Sequence, residues 1–436
     1  MTYNIVTINV SQTVGATPSN LQQTSAIISC GSTLLPAGRP VLITQPEDIN
    51  DLVKNGIKSL VSDATEVTLT LMDGVTIDRD LGDEIEITIT GCSPTTWNGT
   101  FTGTLVDDST ITYDTTIAAG SPTTLGSFTL SGSDEVVTAV NAFFAQGNSV
   151  STYLLELGYG DGTIPVDITA LKAYIDDPIK QFYAYSVPQA WDGIVDFINL
   201  AKLYTSNTSK LYFFVVTKAP PDTNYISPYA AIKSVAAVCD DTFPDTNAAV
   251  AAMWNLVSAS PSEINKVPPM AFRFLQAVNA NSAKAPILST MAAQNINYVD
   301  TGAEGGISNT ILVKGVFSDG NDMTYWYSVD WVQINADMAL ANTVINGSND
   351  PINPLYYNQD GIDRLQLAAQ GVFNTGTSYG LVNGSPVVNA IPFKTYTKDN
   401  PNDYAKGRYA GLSATYTPMR GFTEIIFNIN VTMQLP

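Results

Sequence analysis

Residues 153–216 read YLLELGYGDGTIPVDITALKAYIDDPIKQFYAYSVPQAWDGIVDFINLAKLYTSNTSKLYFFVV. Three short apolar runs, YLLELGY (153–159), QFYAYSV (181–187) and KLYFFVV (210–216), have the length and composition of strands. Between them ITALKAYI (168–175) and WDGIVDFINLAKLYT (191–205) repeat their apolar residues at helical spacing. Strand and helix alternate, so the stretch predicts an α/β layer with helices packed on a sheet. Two more helices are predicted beyond it, at YAAIKSVAAVC (229–239) and AAVAAMWNLVSA (248–259).

Upstream, SAIISCG (25–31) reads as a buried strand and PVLIT (40–44) as another. TQPEDINDLVKNG (44–56) reads as a helix. Thr44 can cap it, Pro46 suits its first turn, Glu47 and Asp48 complement its positive end, and Gly56 stops it. SDEVVTAVNAFFAQGNS (133–149) is a further helix. Between these two, EVTLTLMDGVTIDRDLGDEIEITITG (66–91), WNGTFTGTLVDDSTITYDTT (97–116) and LGSFTLSG (125–132) alternate apolar and polar residues and break at DG, GD, NG and DD turns. No helical period appears there, so residues 61–134 are predicted to form a small all-β module.

Downstream, ILVKGVFSDGNDMTYWYSV (311–329) reads as a hairpin turning at Asp319–Asp322. DWVQINADMALANTVI (330–345) follows as a helix, and DGIDRLQLAAQGVF (360–373) as another. In the latter Ile362, Leu365, Ala369 and Val372 mark one buried face. Gln359, Asp363, Gln366 and Gln370 form a polar stripe opposite, read either as a solvated face or as a contact surface. Both chain ends look like strands. Val6, Ile8 and Val10 alternate with polar residues in YNIVTINVSQT (3–13), and Phe427, Ile429, Val431 and Met433 do so in FTEIIFNINVTMQLP (422–436). Such ends either join their own chain's sheet or add to the open edge of a neighbour's.

The chain has 436 residues, enough for about three domains. Its 44% apolar and 14% charged content supports packed cores rather than disorder. The net charge of −20 and the lack of a basic run argue against nucleic acid and anionic membranes as partners. No window is long and apolar enough for a transmembrane helix, and MTYNIVTINV lacks the pattern of a signal peptide. Cys30, Cys92 and Cys239 lack disulfide or zinc spacing, which fits a reducing cytoplasm. The chain contains no histidine, which removes Ser-His-Asp and Cys-His catalysis and His-ligated metals.

Several residue groups invite chemistry. Asp78, Asp80, Asp83, Glu84 and Glu86 could supply oxygens to calcium, or could simply be a solvated hairpin. GYGDGT (158–163) resembles a phosphate cradle but lacks a complete GxGxxG and a following Lys-Ser/Thr, so a glycine turn is the better reading. Asp176-Asp177 and Asp240-Asp241 sit beside turn and helix-breaking residues and read as loop acids. The aromatics of MTYWYSVDW (323–331) could form a stacking platform, but at strand spacing they read as core. The residues predict no catalytic site, metal or cofactor, and therefore no enzyme.

The order of segments resembles the tail sheath proteins of contractile-tailed bacteriophages. SAIISCGSTLLPAGRPVLITQPEDINDLVKNG (25–56) and AVNAFFAQGNSVSTYLLELG (139–158) look like that family's opening. NINYVD (295–300), GVFSDGNDMTYWYSVDWVQINADMALANTV (315–344), PLYYNQDGIDRLQLAAQGVFNTGTSYGLV (354–382) and FTEIIFNINVTMQL (422–435) look like its C-terminal third. WNGTFTGTLVDDSTITYD (97–114) also resembles the small Ig-like β-modules of phage structural proteins. The resemblance implies a multidomain α+β or α/β fold. It has a linking arm at 1–20, an α/β domain at 21–60 plus 135–265, an inserted Ig-like, sandwich-like module at 61–134, and a core sheath domain at 266–436. It implies that the arms, through Val6, Ile8, Val10, Phe427, Ile429, Val431 and Met433, complete the sheets of neighbouring subunits in stacked six-fold rings. The implied partners are further copies of the chain, a tail tube protein, and baseplate and tail terminator proteins. The polar stripe at Gln359, Asp363, Gln366 and Gln370 would be a tube contact. The implied function is a virion tail sheath, assembled in the host bacterial cytoplasm, whose contraction drives the tube through the cell envelope. The sheath of a phage-tail-like injection particle, and a tail adhesin using the β-module, are the alternatives.

Overall fold

The computed structural model describes residues 20–77, 79–160, 162–264, 267, 269–302, 309–423 and 427. They fall into two compact units, one built from residues 21–258 and 269–323, the other from residues 259–264, 267 and 324–421.

The larger unit begins with β1 (Ser25–Ser29) and β2 (Pro40–Ile43), followed by the short helix α1 (Asn50–Val53). Asp48 reaches back to accept from the Thr44 N–H and hydroxyl, so it is the first-turn acid that closes this helix start. The chain then enters the β-module: β3 (Asn55–Ser62), β4 (Glu66–Leu71), β5 (Glu84–Thr90), β6 (Gly99–Asp107), β7 (Thr110–Asp114) and β8 (Ser127–Leu130). Gly56, expected to end a helix, lies inside β3.

The six strands close on themselves in the order β3-β4-β7-β6-β5-β8, with β8 returning to β3. The module is therefore a barrel, not the Ig-like sandwich expected from the sequence. The alternation is as predicted: Val67, Leu69 and Leu71 of β4 and Ile85, Ile87 and Ile89 of β5 point inward and are buried. A single apolar face per strand serves a barrel as well as a sandwich, so alternation alone does not separate the two.

After the barrel come α2 (Ser133–Ala145), β9 (Thr152–Glu156), α3 (Ile164–Asp176), β10 (Ala184–Ser186), α4 (Val195–Lys202), β11 (Tyr212–Thr217) and β12 (Val235–Cys239). Then follow α5 (Ala248–Val257), α6 (Ala285–Ala293), β13 (Asn297–Thr301) and β14 (Thr310–Val313). Eight strands form one sheet in the order β14-β13-β12-β11-β10-β1-β9-β2. The six inner strands are parallel, and β14 and β2 are antiparallel at the edges. Helices α3, α4 and α6 cover one face through Ile168, Leu171, Phe197, Leu200 and Met291, while α2 and α5 pack together on the other. The α/β layer read from residues 153–216 is thus observed.

Two expectations change here. Residues 229–239 were expected to be helical, but Val235–Cys239 is the fully buried strand β12. An Ala/Val run buried on both faces carries no alternation and cannot be told from a helix by period. Residues 269–323 were expected in the C-terminal domain, but β13 and β14 extend the large sheet.

The smaller unit contains α7 (Met323–Asn349), which starts at the unit boundary, and α8 (Gln359–Ser378). The predicted hairpin arm MTYWYSVDW is the first part of α7. Its aromatics are core, as expected, but on a helix: Trp326, Tyr327 and Trp331 are buried. The Tyr327 hydroxyl donates to Ala259 O and the Trp331 indole N–H to Pro261 O, fastening residues 259–261 to α7. Gly376 lets α8 approach closely, since a Cβ there would lie 3.0 Å from the Trp331 ring and 2.8 Å from Val382. The unit continues with β15 (Val382–Asn383), β16 (Val388–Ala390), α9 (Phe393–Asp399), α10 (Pro401–Ala405), β17 (Leu412–Ala414) and β18 (Thr417–Pro418).

Candidate functional site

The four short strands of the smaller unit make two separate ribbons. Among the described residues β15 pairs only with β18, and β16 only with β17, both antiparallel. A two-stranded ribbon keeps an unpaired edge on each side, and such edges recruit further strands unless they are blocked.

One edge of the β16·β17 ribbon is blocked by side chains of α8. The Val388 N–H donates to Gln370 Oε1 at 2.9 Å, and Gln370 Nε2 donates to Pro386 O at 2.9 Å. Gln366 Nε2 donates to Val388 O at 2.7 Å. Beyond the end of β16, the Phe393 N–H donates to Gln359 Oε1 at 2.8 Å. A glutamine amide carries the same donor and acceptor as a peptide group, so α8 presents β16 with a substitute for a neighbouring strand.

The other edge, along β17, has no such cover among the described residues. Val388 turns its N–H and C=O to α8, so its partner Ala414 turns its own away from β16. Leu412, two residues away, points its groups the same way. Leu412, Ser413, Ala414 and Thr415 carry no charge and no proline, the usual protections of an edge, and Ser413 and Ala414 are exposed. The β15·β18 ribbon has only two residues per strand and ends in Pro418, which lacks an N–H. Beside β16, Val387 is 64% exposed and Ile391 43%. The ribbon sits on a braced platform. The Tyr409 hydroxyl donates to Ile391 O, the Tyr396 hydroxyl donates to Asp403 Oδ2, and the Ala410 N–H donates to Tyr396 Oη.

The residues singled out in the sequence fall as follows. Val6, Ile8, Val10, Ile429, Val431 and Met433 lie outside the described residues, as do Asp78 and Asp161; Phe427 is described and 81% exposed. Of the polar stripe, Gln359, Gln366 and Gln370 hold residues 386–393, and Asp363 accepts from Gln359 Nε2 and from no other described residue. Glu84 and Glu86 lie on the outer face of β5, and no group of metal-ligating side chains is found among the described residues. In the glycine turn, Gly158, Gly160 and Gly162 all have positive φ. Asp176 pairs with Lys172 and Asp177 ends α3. Asp240 is buried and taken up by Thr242, Thr246 and the Ala248 N–H, while Asp241 holds Ser282.

Sequence reading missed the ribbons and the role of the glutamines. A strand of two or three residues is below any periodicity. An i, i+4 glutamine stripe looks the same whether it faces water or a strand edge.

No protein-family model matches this sequence, and no curated protein matches it. Among solved structures, the chain is similar to the sheath tail protein Lin1278 from Listeria innocua, with 12% identity over 86% of this chain and 90% of that one and a TM-score of 0.42. It is also similar to a chain of the anti-feeding prophage (AFP) baseplate in the contracted state, with 11% identity over 100% of this chain and 99% of that one and a TM-score of 0.48.

Proposed function

We propose that this chain is a contractile tail sheath subunit that polymerises by strand exchange. The observation that carries the proposal is the open, uncharged edge of β17 in a ribbon whose opposite edge is already filled. A strand from a second copy adds there, with its N–H and C=O groups meeting those of Leu412 and Ala414. The strand-like segments 3–13 and 422–436 are the source of that strand. A contact passed from one copy to the next in one direction builds a ring where the rotation closes and a helix where it does not. The order of segments, which resembles that of sheath proteins, supports a polymer around a tail tube in the virion, with baseplate and terminator proteins at its ends. Subunits that move as rigid bodies stay joined through the exchanged strands during contraction. The same chemistry serves a phage-tail-like injection particle.

Electron microscopy of the purified, concentrated protein tests this. Hollow tubes or stacked rings are expected, and deletion of residues 1–14 should disperse them. Single particles at every salt and concentration, with or without an added tube, would overturn the proposal. Asp363, the stripe residue that makes no bond to the ribbon, remains available to a tube. Asp363→Lys should reduce co-assembly on tubes without changing self-assembly.

A further inference from the structure

The larger unit holds a cavity that has no part in strand exchange. It lies at the carboxyl ends of β1 and β10. From β1 the chain runs to β9 on one side and then returns to β10 on the other, so the strand order reverses at this point. In open α/β sheets such a reversal opens a crevice where ligands bind. Here the barrel lines one side of it with Glu84, Glu86 and Thr102, and the half-open space is about 490 Å³. That is within the range of small-ligand sites, roughly 300–1,000 Å³.

The lining is rich in unused hydrogen-bonding capacity. Ser32 (7% exposed) and Ser186 (4%) line the cavity, and their hydroxyls have no partner among the described residues. Asn247 (4%) uses its Oδ1 to cap α5, accepting from the Val250 N–H at 3.0 Å, and its amide N–H groups donate to nothing described. These three groups keep solvent-accessible atoms on the cavity wall, so they are open to the hydrogen bonds of an occupant. Glu135, half-buried in the first turn of α2, accepts from the Gln189 N–H at 2.9 Å, and desolvation holds its carboxyl above the usual range. On the opposite wall Arg79 is already engaged, donating to Gly31 O at 2.8 Å and lying 3.7 Å over the Tyr159 ring. The buried Trp191 supplies an apolar surface.

This inventory selects the ligand class. Glu84, Glu86, Glu135 and Asp167 outnumber the one guanidinium, so phosphates and carboxylates are repelled. An amine would suit the carboxylates but would leave the Asn247 amide without an acceptor. Hydroxyl groups both donate and accept. We propose that this cavity binds a neutral, polyhydroxylated small molecule of monosaccharide size, held between the Glu135 carboxylate, the Asn247 amide and the two serines. The proposal stands independently of the sheath reading.

Saturation-transfer NMR on the intact chain tests it, with glucose, galactose, mannose, N-acetylglucosamine and ribose as probes and spermidine and inorganic phosphate as controls. At least one sugar should give a saturable signal, and the controls none. Asn247→Asp keeps the oxygen that caps α5 but replaces the donor with an acceptor. It should weaken sugar binding about tenfold, the worth of one hydrogen bond, with thermal melting unchanged. If that variant melts early, Ser186→Ala serves the same purpose with a smaller loss. No saturable sugar, saturation by spermidine instead, or sugar binding that both substitutions leave intact would overturn the assignment. A cavity that merely holds water gives the first of these results.

Discussion

The barrel and the β16·β17 ribbon use the same backbone chemistry to opposite ends. In the barrel every strand has a partner on both sides, because β8 returns to β3. Its threonine-rich outer face can be wetted without offering a free edge. In the ribbon one edge is occupied by the side chains of α8, and the other has no partner among the described residues. Closure makes a module that folds for itself, and a half-closed ribbon makes one that waits for a second chain. The inserted region is therefore predicted to be passive in assembly, and the three residues of β17 to be decisive.

That contrast can be broken most directly at Ala414. Its N–H points away from β16, so Ala414→Pro removes a donor that the isolated subunit does not use. Sedimentation should show complete loss of polymer with little change in the melting temperature of the subunit. In the barrel, Ile87→Ala should do the reverse. Ile87 is fully buried, and its truncation should cost about 2–5 kcal/mol in chemical denaturation while assembly persists at low temperature. Gln370→Met sharpens the contrast within the ribbon. It leaves the Val388 N–H and Pro386 O without their partner and should cost about 1 kcal/mol. It also opens the β16 edge, so disordered aggregates should appear beside regular polymer. The smallest effect is in the β3–β4 turn. There the Thr65 hydroxyl and the N–H groups of Thr65 and Glu66 hold the Asp63 carboxyl down at about 2. A depressed carboxyl stabilises the fold above its unfolded value of about 4 and stops doing so as the pH falls toward 2. Asp63→Asn should flatten the acid side of the melting profile in that window.

The sequence was most legible where one periodicity dominated. The strands at 25–29 and 212–217, the helix at 133–145 and the alternation through 66–130 were readable because each buries one face or a whole apolar run. Reading failed where tertiary context overrode local preference. Thr324, Tyr325, Trp326, Tyr327 and Val329 are β-formers by propensity. They nevertheless begin a 27-residue helix, whose aromatics bury against residues that sequence spacing does not reveal. Barrel closure depends on β8 reaching β3 across some 70 residues and leaves no local trace. The candidate site was the least legible part, since β17 is three residues long and its meaning depends on what α8 does to the strand beside it.

The central claim is that β17 is unfilled in the free subunit and filled in the polymer. Amide hydrogen exchange compared between dispersed and assembled protein measures this. The account predicts that the amides of Leu412 and Ala414 exchange quickly in the free subunit and become strongly protected on assembly, while those of the barrel strands do not change. Polymer in which residues 412–414 exchange as fast as in the free subunit would contradict it.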